Sequence, residues 1–152
     1  MILNKYSIIS TVGGVGFFPK APGTAGSLVA AVLAWPIAYF LGVYSLVIAV
    51  FLVSFLGVWA INHYQEETGL HDASEIVIDE VAGQWLTLSV APLEPIYFVL
   101  GFLAFRLFDI WKPWPVGWID KNMRSGFGVM ADDLLAGVYG ILLLLLAQRI
   151  IG

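Results

Sequence analysis

The chain has no cysteine, which removes disulfides, thiolate metal sites and a cysteine nucleophile from consideration. Charge is scarce as well: Asp, Glu, Lys and Arg make up 12% of the 152 residues, against about 25% in ordinary soluble domains. No basic cluster interleaved with aromatic residues occurs, so no nucleic-acid partner is expected. Residues 1–16 lack a long apolar run, and no cleavable signal peptide is expected there. Gly13-Gly14-Val15-Gly16 superficially suggests a dinucleotide loop, but it follows no buried strand and opens no βαβ unit. Paired histidines are missing too. His63 and His71, the latter beside Asp72, read as solvated loop residues rather than metal ligands.

Apolar residues are what the chain has in excess, at 60% against roughly 45–50% in soluble domains. So little polar surface points to a membrane protein, and the length to a single domain over residues 1–152. No charge falls between residues 21 and 65, a stretch too long for one crossing of about 20 residues. With Gly42 in its middle it reads as a hairpin of two helices, over residues 27–41 and 44–62. A polar loop over 62–75 follows. A third helix over 75–91 stops at Pro92-Leu93-Glu94-Pro95, and a fourth spans 96–111, ahead of Pro113 and Pro115. A segment of mixed polarity over 112–131 leads to a last helix opening at Asp132-Asp133. The expectation is an all-α, polytopic bundle of about five membrane helices.

With five crossings, Lys5, Lys20, Arg106, Lys112, Lys121 and Arg124 share one side, and only Arg149 lies on the other. The positive-inside tendency makes the richer side cytoplasmic, where Trp111, Trp114 and Trp118 suit an interfacial belt.

That same side collects the charges that interrupt apolar segments. Asp79 and Glu80 stand one turn before Gly83 and Gln84. Arg106, Asp109 and Lys112 recur at three-residue spacing and form a ladder on one helix face. Asp132 and Asp133 would occupy a first helical turn, where the macrodipole favours negative charge. Each piece alone reads as a cap or an interfacial anchor. Together, five acids and two bases gather at one end of a nearly charge-free bundle. An ionised carboxylate at membrane depth costs several kcal/mol unless paired, metal-bound or hydrated, so the convergence points to a site.

Ahead of the first helix, Gly23 and Gly26 permit close backbone approach, and Thr24 or Ser27 can cap. Free N–H groups there would favour an anion, although a plain capped loop has the same signature. Oxygen ligands without thiolates or paired histidines suit Mg²⁺ better than Zn²⁺. Mg²⁺, basic side chains and a glycine-rich turn point to phosphate chemistry, and the interface to a lipid phosphate or another amphiphile. The rival reading is a small cation-binding membrane transporter or channel, whose acids would lie nearer the bilayer midplane. Beyond the last helix's acids, the small face made by Ala136 and Gly140 could serve a homo-oligomer or pack internally.

Four ordered blocks carry a resemblance that covers nearly the whole chain. They are Pro22-Gly23-Thr24 with Gly26-Ser27; Ile76-Val77-Ile78-Asp79-Glu80 with Gly83; Phe105-Arg106 with Phe108-Asp109 and Lys112-Pro113-Trp114-Pro115; and Gly126, Gly128, Met130, Asp132-Asp133 and Ala136-Gly137. In these the chain resembles the bacterial phosphatidylglycerophosphatase A family. Ser125 and Ala73 depart from the pattern, where a glycine and a proline are usual. The resemblance implies Mg²⁺-dependent conversion of phosphatidylglycerophosphate to phosphatidylglycerol, by a multi-pass protein of the bacterial inner membrane facing the cytoplasm. It implies Asp79, Glu80, Asp132 and Asp133 as metal ligands, with Asp109 beside them. Arg106, Lys112, Gly23, Thr24 and Ser27 would hold the phosphate. Either water or an aspartate would be the nucleophile.

Overall fold

The structure is a computed structural model that describes residues 4–42, 44–70 and 73–152; His71 and Asp72 fall outside them. All regular structure among the described residues is helical. A short helix α1 (Lys5–Ser10), opened by an Asn4 capping box, leads through a 3₁₀ turn (Val15–Phe17) to α2 (Pro22–Leu41). Pro22 sits at the first helical position, where its missing N–H costs nothing, so α2 starts five residues earlier than expected. Gly42, with φ +87°, turns the chain into α3 (Tyr44–Thr68). α3 runs six residues past the expected end at residue 62, so the polar segment that follows begins as helix. His63 is therefore a helical residue, not a loop one. It stacks on Tyr6 at 4.5 Å between ring centroids, and its Nδ1 lies 2.8 Å from the Trp59 carbonyl.

The remaining elements are α4 (Ile78–Leu88), α5 (Pro95–Trp111), α6 (Val116–Asn122) and α7 (Gly126–Ile151). Among the described residues, α2, α3 and α7 are long and apolar enough to cross a membrane, with 20, 25 and 26 residues. At 1.5 Å per residue, α4 with its 11 residues is about 16 Å long, too short to cross a core of about 30 Å alone. α5, with 17 residues, reaches about 25 Å. Beside the three long helices, the third and fourth of the about five expected helices form a shorter α4–α5 hairpin packed against α7. Phe40, Phe51, Phe55 and Leu142 point outward and exposed, as lipid-facing side chains do.

Apolar burial drives little between helices already in lipid, so close packing and interhelical hydrogen bonds must hold the hairpin. A Cβ at Gly83 of α4 would meet Phe105 Cε1 at 2.4 Å and the Asp133 carbonyl at 2.6 Å. Only glycine lets α4, α5 and α7 approach that closely. One turn on, Thr87 donates to the Gly137 carbonyl at 2.9 Å and fills the space above Gly140. Trp85 donates to the Ala30 carbonyl (2.7 Å), and Gln84 to the Gly101 carbonyl (3.2 Å). The small face of α7 around buried Ala136 and Gly140 is therefore spent inside the bundle.

α7 also opens earlier than expected. Ser125 caps it by accepting from Gly128 N–H, and the Asn62 side chain accepts from Gly126 N–H at 2.7 Å. Asp132 and Asp133 consequently lie about two turns inside the helix, not at its dipole end. Their charge needs another explanation.

Candidate active site

The opening turns of α2, α4 and α7 meet the end of α5 and α6 around a cavity of about 300 Å³. Pro22 and Gly23 line it from α2, Asp79 and Glu80 from α4, Asp109 and Lys112 from the end of α5, and Asp132 and Asp133 from α7. Asp79, Asp109, Asp132 and Asp133 are each at most 7% exposed. Buried carboxylates of this number are unusual, since each must be matched to stay charged.

The bases meet only part of that demand. Arg106 pairs with Asp109 one helical turn away. Lys112 Nζ lies 3.3 Å from Asp132, 3.7 Å from Asp109 and 3.8 Å from Asp120. Burial alone would lower the Lys112 pKa, but Asp132, Asp109, Asp133 and Asp120 outweigh it and hold the ammonium charged well above the usual lysine range. Lys112 takes a left-handed backbone conformation, φ +55°, as the residue that ends α5. After these pairs are made, Asp79 Oδ1, Glu80 Oε2, Asp132 Oδ1 and Asp133 Oδ2 are buried with no hydrogen-bond partner, as is Arg106 Nε.

The open oxygens are close together. One ligand atom from each of Asp79, Asp132 and Asp133 falls within a 4.8 Å cluster, and so does one from each of Glu80, Asp109 and Asp133. Carboxylates alone, all but Asp109 with an unpartnered buried oxygen, are a donor set that fits a hard divalent cation such as Mg²⁺. Beside them, Gly23 stands where a Cβ would lie 2.9 Å from Glu80 Oε1 and 3.3 Å from Arg106 Nη1. The guanidinium thus faces the first turn of a 20-residue helix, whose N–H groups also attract anions. Cation ligands and anion donors adjoin.

Of the ten residues singled out from sequence, seven line this cavity and Arg106 adjoins it through Asp109 and Gly23. Thr24 instead lines a neighbouring apolar groove with Phe17, Phe18 and Leu28. Ser27 is fully buried, its hydroxyl without a hydrogen-bond partner, and lines neither. Sequence reasoning missed Asp120 on α6, which joins the Lys112 network and the cavity wall. Nothing in its local spacing sets it apart from an ordinary surface acid.

Fold and site define an all-helical membrane protein whose polar chemistry is gathered into one acid-lined cavity. A family model described as Phosphatidylglycerophosphatase A matches residues 8–148. Phosphatidylglycerophosphatase A of Escherichia coli (strain K12) is 40% identical over 138 residues, covering 89% of this chain and 78% of that protein. The Haemophilus influenzae protein of the same name is 34% identical over 148 residues, 97% of this chain and 91% of its own length. A Bacteroides thetaiotaomicron protein, provisionally named phosphatidylinositol-3-phosphatase, is 40% identical over 153 residues, 95% of this chain and 94% of its own. No solved structure matches. The chain belongs to the phosphatidylglycerophosphatase A family and is a phosphoric monoester hydrolase.

Proposed function

We propose that the enzyme removes the terminal phosphate of phosphatidylglycerophosphate, with Mg²⁺, to leave phosphatidylglycerol at the cytoplasmic face of the inner membrane. The observation that carries this reading is the adjacency, in one cavity, of open carboxylate oxygens with Arg106, Lys112 and the start of α2. The names of two relatives support the substrate, and the distribution of Lys and Arg supports the orientation.

Asp79, Glu80, Asp132 and Asp133 would hold magnesium, with Asp109, paired to Arg106, beside them. The bound cation would offset the charge of the carboxylates and polarise the phosphoryl oxygens. Arg106 and Lys112 grip the terminal phosphate through charge-assisted hydrogen bonds, for which Arg106 Nε is an open donor. The N–H groups of Gly23 and its neighbours complete the cradle; Thr24 and Ser27 shape its back rather than touch the phosphate. As the phosphorus–oxygen bond to the terminal glycerol breaks, these donors hold the charge that spreads over the equatorial oxygens. Water's oxygen ends on the released phosphate and the lipid keeps a free hydroxyl. Exposed Trp111, Trp114 and Trp118 hold this end of the bundle at the headgroup level.

The Bacteroides relative favours a second substrate of the same chemical class, a phosphomonoester on an inositol lipid. Both readings use the same cavity and differ only in the headgroup. Phosphate release from phosphatidylglycerophosphate, phosphatidylinositol 3-phosphate and glycerol 3-phosphate, compared as kcat/KM in one detergent, separates them. Our reading expects the first to be preferred. A preference for the inositol lipid would contradict it.

A further inference from the structure

We propose that the cavity binds two divalent cations bridged by Asp133, one completed by Asp79 and Asp132 and the other by Glu80 and Asp109. The inference rests on the cation-dependent reading above and goes beyond it in number and in the division of ligands. Two clusters of carboxylate oxygens, each within 4.8 Å, share a single residue, Asp133. Asp133 is 2% exposed and lines the cavity, and its Oδ2 has no hydrogen-bond partner. Asp79 Oδ1 and Asp132 Oδ1 are open in one cluster, and Glu80 Oε2 in the other. The orphan atoms are therefore spread over both clusters, where a single cation would need only one of them.

Charge points the same way. With all side chains ionised, the six cavity carboxylates, Asp120 included, face two bases, Arg106 and Lys112, an excess of four negative charges. One divalent cation leaves that enclosure negative, and a phosphomonoester dianion would then enter against repulsion. Two bring it to neutral before the substrate arrives, which removes that repulsion. Two-metal hydrolytic sites keep their ions about 3.5–4 Å apart across a bridging ligand, a spacing that one carboxylate common to both clusters can supply. The Lys112–Asp109 contact, at 3.7 Å, is longer than a hydrogen bond and leaves Asp109 Oδ1 free to turn toward a cation.

The test uses Mn²⁺ as the probe, on the full chain in detergent after EDTA treatment and desalting. Bound Mn²⁺ is counted by equilibrium dialysis, and low-temperature EPR reports whether two ions are exchange-coupled. The expected result is two Mn²⁺ per chain with a coupled signal. Asp132→Asn and Glu80→Gln, each altering one cluster only, should each leave one strongly held ion and an uncoupled spectrum. Asp133→Asn should abolish the coupling. One Mn²⁺ per wild-type chain would overturn the two-cation proposal while leaving cation dependence intact. Two ions without coupling, undisturbed by Asp133→Asn, would overturn the bridge. No bound Mn²⁺ in folded wild-type protein would overturn this proposal together with the cation-dependent reading it rests on.

Discussion

The two ends of the helix bundle solve the same problem in opposite ways. Toward the Gly42 and Pro92 turns, the core is Ala31, Ala34, Ala38, Leu46, Leu88, Phe98 and Leu144, and the polar side chains near it donate to backbone carbonyls. Gln148 donates to Val90, Thr87 to Gly137 and Trp85 to Ala30. In lipid such bonds hold helices together because water cannot compete for the groups. At the other end four carboxylates, those of Asp79, Glu80, Asp132 and Asp133, keep open oxygens. An apolar, cohesive end and an acidic end share α4, α5 and α7. On the proposed reading, stability and function are separated along the length of α4, α5 and α7.

That contrast can be broken by substitution, and the largest effect is expected at its acidic extreme. Asp133→Asn should lower kcat/KM by at least about 1000-fold, the scale of losing a major electrostatic contact to the transition state. Its thermal midpoint in detergent, measured without added metal, should hold or rise, because one of several mutually repelling buried charges is gone. A large fall in stability would mean that Asp133 is structural. Next comes Arg106→Lys, which keeps the charge but loses the planar fork facing Gly23. About 100-fold in kcat/KM is the expected loss, with less change in cation affinity than in substrate affinity. Thr87→Val tests the opposite end. It should cost roughly 0.5–1.5 kcal/mol of unfolding free energy by denaturant titration, with the activity of the folded fraction unchanged within about twofold. The smallest effect belongs to Thr24→Val. Its side chain lines the apolar groove rather than the cavity, so kcat/KM should move by about twofold or less. A loss as large as that of Arg106→Lys would return Thr24 to the phosphate cradle.

The same contrast explains which parts of the molecule were legible in the sequence. The acidic end was legible because charge is so rare in this chain that each interruption of an apolar run stands out. Asp79, Glu80, Asp109, Asp132, Asp133 and Lys112 could be brought to one place by counting crossings alone, and the structure brings them to one cavity. Helix lengths were less legible. Residues 75–91 read as one helix, but residues 75–77 form the approach to it, the Val77 N–H donates to the Ser10 carbonyl at 2.9 Å, and α4 begins at Ile78. Gly126 and Gly128 look like loop residues in a polar segment. They are instead helical glycines, pressed against the Val58 and Met123 carbonyls, where a Cβ would lie 2.7 and 1.9 Å away. The polar end of α3 continues as helix because it packs on α1 through Tyr6, Trp59 and His63, a partner that periodicity cannot reveal. Asp120 was hidden for a related reason. Its role depends on the turn that follows Lys112, not on its neighbours in sequence.

The central claim is that the acidic end binds a cation and acts on a lipid phosphate. Phosphate release from phosphatidylglycerophosphate micelles, with Mg²⁺ and with EDTA, for the wild type and Asp79→Asn, tests it most directly. The account predicts release that needs Mg²⁺ and is lost in the folded variant. Release that persists in EDTA, or at wild-type rate in Asp79→Asn, would contradict it.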